Sequence, residues 1–169
     1  MKIIGLDIGS VSIASVLTEE NGLILSRDYR FHHGDIENNL KDSLTALGIT
    51  GQAVIMSTKS SPDIISGASY VDDKVAFIKG ASGFFPDIGS LLVVGAQSFF
   101  ITHFSDTGAY KRSRSNSSCA AGTGSFLDQQ ARRLNLKDSG ELASLALKNT
   151  GEIPRIASRC AVFAKTDLI

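Results

Sequence analysis

Apolar and polar positions alternate from the first residues onward. "KIIGLD" (2–7) and "IASVLT" (13–18) are short, apolar and rich in β-branched side chains, and the small Gly9-Ser10 pair between them predicts a tight turn. "LILSRDYRF" (23–31) follows Asn21-Gly22, a dipeptide suited to a hairpin. The period then lengthens. Across Asp35–Gly48 the residues Ile36, Leu40, Leu44 and Leu47 share one face, an acid stands in the first turn and Gly48 ends the run, so a helix is expected. "AVIMS" (53–57) reads as a buried strand and "SYVDDKVAFIKGASGFF" (69–85) as a second helix loosened at its end by glycines. After Pro86 the pattern restarts. "LLVVG" and "FFITHF" are strands joined by "GAQS", Thr107-Gly108 turns into a polar strand "AYKRSRS", and a helix is expected over Gly122–Leu134. Three antiparallel strands followed by a helix thus occur twice, at about residues 1–48 and 90–134. The pattern predicts an α/β chain of two related lobes, 1–89 and 90–169. The second is expected to be incomplete, because two more strands and a closing helix should follow and the sequence stops at Ile169.

Composition narrows the function classes. The 169 residues are 43% hydrophobic and 20% charged, the values of a chain with a packed core. Basic and acidic residues number 17 each, so no overall field draws the chain to nucleic acid or to a membrane. The short KRSR run at Lys111–Arg114 reads as a solvated turn or strand face. Asp7 interrupts the apolar start, which argues against a secretory signal, and no run reaches the length of a membrane span. A cytoplasmic location is the expectation. There the two cysteines, Cys119 and Cys160, read as buried, catalytic or metal-binding before they read as a bridge.

Two places could carry chemistry. The turns Asp7–Ser10 and Gly95–Ser98 are small enough for backbone amides to approach phosphate oxygens, and Asp7 could hold Mg²⁺ through a bound water. A plain hairpin with an aspartate at its turn is the competing reading. "PDIGS" (86–90) repeats the letters, but there the strand follows the motif, so Asp87 is taken as a turn residue. Cys119 stands just before the expected helix at Gly122, whose positive end would favour a thiolate or an anionic cluster. Two ligands do not complete a tetrahedral zinc or iron–sulfur site, although a twofold dimer would supply the other two. On spacing alone, two unrelated buried cysteines are the plainer reading. His32, His33 and His103 have no ligand spacing and are expected on a strand surface or in packing, and no P-loop motif is present.

"CAAGTGSFLDQQARRL" and "IASRCAVFAKTDLI", with "IIGLDIGS" in front, resemble the ATP-dependent activators of 2-hydroxyacyl-CoA dehydratases, the BadF/BadG/BcrA/BcrD-type ATPases. The resemblance implies the two-lobed ribonuclease-H-like fold of actin and sugar kinases. It implies ATP and Mg²⁺ at Asp7 (the candidate catalytic residue), Gly9, Ser10, Gly95 and Gln97. It also implies a 4Fe–4S cluster held by Cys119 and Cys160 of two subunits, faced by the helix start at Gly122 and Gly124. In such a protein, ATP hydrolysis drives a low-potential electron from a ferredoxin or flavodoxin into a dehydratase or reductase acting on an acyl-CoA, a chemistry of anaerobic metabolism. Three positions depart from the family pattern. Ala14 replaces a lysine, and Val93 and Ser98 replace the aspartates of the second turn. They favour an alternative, a degenerate non-catalytic regulatory module. A kinase-like or chaperone-like ATPase of the same fold with incidental cysteines is the other.

Overall fold

The structure, a computed structural model of the chain, describes residues 1–116, 123–153, 155, 156 and 161–167, with backbone alone at 161 and 162. It divides into two compact units, Met1–Pro86 and Asp87–Ile169.

In the first unit, β1 (Lys2–Ile8) pairs antiparallel with β2 (Ser12–Glu19), which pairs antiparallel with β3 (Ile24–Phe31). Helix α1 (Ile36–Ala46) returns the chain to β4 (Ala53–Thr58), parallel to β1, and β5 (Ser69–Val71) adds a parallel edge, giving the order β3-β2-β1-β4-β5. Strand alternation decides the core. Ile4, Leu6, Ile8, Ile13 and Leu17 point to one face and are buried against Leu40 and Leu47 of α1 and its C-cap. Each such burial contributes about 2 kcal/mol. Asp7 falls on the opposite, half-buried face, directly across from Ala14.

Helix α1 starts where Asp35 accepts the Asn38 amide and ends at Leu47, followed by Gly48 at φ +63°. The stretch read as one helix over 69–85 is divided. Ser69–Val71 joins the sheet, and α2 (Asp73–Phe84) begins only after Asp72, whose carboxylate caps the Lys74 and Val75 amides. Three residues are too few for alternation to show in a sequence.

The second unit repeats the three-strand start. β6 (Ser90–Val94), β7 (Phe99–Phe104) and β8 (Tyr110–Ser115) form an antiparallel sheet in that order, and Asp87 precedes β6 as expected. Lys111, Arg112 and Arg114 are exposed on β8. Helices α3 (Gly124–Arg133), α4 (Ser139–Ala146) and α5 (Ala161–Thr166) follow, and Arg133 donates to the Lys165 carbonyl at 2.7 Å, tying α3 to α5. No helix among the described residues is long and apolar enough to cross a membrane.

Candidate functional site

The β1–β2 and β6–β7 hairpins turn through the same small motif. The Gly9 amide donates to the Ser12 carbonyl at 2.9 Å, and the Gly95 amide donates to the Ser98 carbonyl at 2.7 Å. Each bond closes a two-residue tip, Ser10-Val11 in one unit and Ala96-Gln97 in the other. Among the described residues, no acceptor takes the amides of Ser10, Val11, Ala96 or Gln97. Two consecutive open N–H groups on a turn form a concavity suited to an anion. Ser10, Val11 and Gln97 are exposed, so the tips are accessible.

Asp7 stands just ahead of the first tip. Its Oδ1 accepts the Thr58 hydroxyl at 2.7 Å, and Thr58 lies 2.9 Å from the Ser61 hydroxyl, which accepts the Ile8 amide at 2.8 Å. The C-terminal ends of parallel β1 and β4 are thereby joined by hydroxyl groups that fix the carboxylate. Oδ2 meets no donor among the described residues. One oxygen held by the protein and one without a protein donor among the described residues suits a carboxylate that holds Mg²⁺ through a retained water. Thr58 and Ser61 escaped the sequence reading, because their partners lie about fifty positions away in the chain.

In the second unit the turn supports a helix. Gly124 and Ser125 donate their amides to the Gly95 and Ala96 carbonyls at 2.8 and 3.0 Å, while the Phe126 and Leu127 amides bond to Thr123. A Cβ on Gly124 would stand 3.2 Å from the Gly95 oxygen, so glycine here answers to close backbone packing. Thr123 is fully buried as the N-cap. Thus Gly95 and Gly124 are brought together, and Asp7, Gly9 and Ser10 form the other group. Cys119, Cys160 and Gly122 lie outside the described residues, and among those described no group of histidine, cysteine or carboxylate side chains is arranged to hold a metal ion.

The profile of the BadF/BadG/BcrA/BcrD ATPase family matches residues 4–169. The (R)-2-hydroxyglutaryl-CoA dehydratase activating ATPase of Acidaminococcus fermentans is 38% identical over 90 residues, covering 53% of this chain and 34% of that protein. The crystal structure of component A of the dehydratase from the same organism superposes with a TM-score of 0.83 at 23% identity, over 99% of this chain and 66% of that one. The activator of the 2-hydroxyisocaproyl-CoA dehydratase from Clostridium difficile, solved with bound ADPNP, gives 0.78 at 22% identity, over 99% and 64%. The chain therefore spans a third to two thirds of the length of these relatives. The architecture is the α/β, actin- and sugar-kinase-like ATPase fold.

Proposed function

Since the chain belongs to the BadF/BadG/BcrA/BcrD ATPase family, we propose that it is a module of an ATP-driven electron-transfer activator serving a 2-hydroxyacyl-CoA dehydratase or a related CoA-ester reductase. The observation that carries the nucleotide half is the pair of tips with open amides, one of them beside Asp7. Phosphate oxygens meet the N–H groups of a tip, and Asp7 holds Mg²⁺ through water. The relatives named as dehydratase activators support the partner class. Cys119 and Cys160, each met by its copy in a homodimer, hold the 4Fe–4S cluster, which supplies a low-potential electron when bound. The second unit carries the excess of lysine and arginine and the first the excess of acids, a distribution suited to an anionic cluster on the second. The Gly124 and Ser125 amides are bonded to the turn, so what α3 offers the cluster is its dipole rather than those two amides. The electron enters from a ferredoxin- or flavodoxin-type donor and leaves to the acyl-CoA enzyme.

Anaerobic reconstitution tests this reading. Iron should reach about four atoms per dimer, the complement of one Cys₄ cluster. Cys119→Ser and Cys160→Ser should each lose the brown absorbance, and unchanged iron in both overturns the cluster assignment. A second reading, a regulatory module that binds nucleotide without turnover, is favoured by Ala14, which sits across from Asp7 where the family pattern has a lysine. Mg-ATP binding without phosphate release would select it.

A further inference from the structure

The glycine carbonyl at the start of each tip is held from behind in both units, by different means. In the second unit the Gly95 carbonyl accepts the first amide of α3. In the first unit no helix amide among the described residues reaches the equivalent Gly9 carbonyl, and its partner is His32, buried just past the end of β3, with Nε2 3.2 Å from the oxygen. The tautomer follows from the other ring nitrogen. Gly34 donates its amide to Nδ1 at 3.0 Å, so the proton is on Nε2 and Nε2 is the donor to Gly9. The histidine is itself fixed. Its amide donates to the Val11 carbonyl at 3.1 Å, and its own carbonyl accepts the Asp35 amide at 2.8 Å. His33 and Gly34 between them sit at φ +48° and +90°, the signature of a type I′ turn. That turn brings Gly34 onto Nδ1 and aims Nε2 at the tip.

We propose that His32 is a positioning residue for the Ser10-Val11 tip, taking by side chain the place that the first amide of α3 takes at Ala96-Gln97. With the Gly9 carbonyl and the Val11 carbonyl both held, the Ser10 and Val11 amides are left facing outward for an anion. The assignment of that anion to a nucleotide phosphate rests on the function proposed above. The hold on the turn does not.

The test uses the full chain and three variants. Asparagine at this position keeps an acceptor for the Gly34 amide, as in an Asx turn, but is too short to reach Gly9. Glutamine reaches Gly9. His32→Asn should weaken Mg-ADP binding by about tenfold, the usual worth of one lost hydrogen bond, and should speed amide exchange at Gly9 while Gly34 keeps its protection. His32→Gln should restore both to within about threefold, a recovery that a merely structural role would not give. His32→Leu should lose the Gly34 protection as well. Wild-type affinity and an unchanged Gly9 amide in folded His32→Asn overturn the proposal. A wild type that binds no Mg-ADP overturns the nucleotide reading instead, and the Gly9 amide alone then decides whether His32 holds the turn.

Discussion

Gln130 carries an amide nitrogen that is buried on α3 without a hydrogen-bond partner, among the described residues. A buried donor left unmade costs about 1–3 kcal/mol, whereas an apolar side chain of similar volume leaves nothing unsatisfied. Gln130→Met should therefore raise stability by about 1 kcal/mol, read as a higher urea midpoint at unchanged slope; a lower midpoint would mean that the amide meets an acceptor. The sequence places Gln130 on the helix but not its loneliness. The same limit explains His32. The sequence reading places it on a strand surface or in packing for want of ligand spacing; it is buried, and its partner Gly9 lies 23 positions away and belongs to another turn. Asp7, Gly9 and Gly95 are legible because small residues after an apolar run mark a turn in one dimension. Thr58 and Ser61 are not, because only the pairing of β1 with β4 brings their hydroxyls to Asp7 and to the Ile8 amide beside it.

Helix α1 and strand β3 meet through polar atoms, although the alternation of β3 suggests an apolar inner face. Ser26, Asp28 and Arg30 are turned inward, while Tyr29 and Phe31 are exposed and touch edge to face. Ser26 donates to the Leu47 carbonyl, Arg30, bound to Asp28 through two nitrogens, comes within 3.7 Å of the Asp42 carboxylate on α1, and on neighbouring β2 Ser15 meets Ser43 at 2.7 Å. Hydrophobic period alone cannot reveal a seam whose contacts are hydrogen bonds. The arginine bond holds the Asp28 carboxyl below its ordinary range, and the Asn38 side chain and amide do the same for Asp35 at the N-cap. A lowered native value means stability that is fully present above about pH 4 and is lost as pH falls through the native value. Asp35→Ala should lower the melting temperature near neutrality. Its gap from wild type in thermal melts should close below about pH 4; a gap that persists in acid would assign the cost to something other than the charged cap. Strand β5 shows the converse limit, where a three-residue edge is held by β4 rather than by its own pattern.

At the scale of the whole molecule the described residues of the two units bury unequal cores. The first encloses a continuous cluster from β1, β2 and α1, whereas the buried hydrophobics described in the second are Ala131 and Ala164. Leu147 and Ile153 there are 88% and 86% exposed. Local stability follows buried apolar contact. Backbone amides of β1 and β2 should exchange through global unfolding, and those of β6 to β8 markedly faster; equal protection in both sheets would refute the difference. The repeated strand order was legible because alternation and turn residues recur in the same sequence, but the packing that distinguishes the repeats was not. The two ways of holding a tip also differ in how inheritance can change them. A side-chain hold is specified by one codon, so a single base change at position 32 can remove it and another can bring it back. A hold made by main-chain amides has no side chain of its own to lose and is spoiled by adding bulk at position 124, or by a proline there, which removes the N–H. Variation among descendants of this chain should therefore loosen the first tip reversibly, while the second persists unchanged or fails at once.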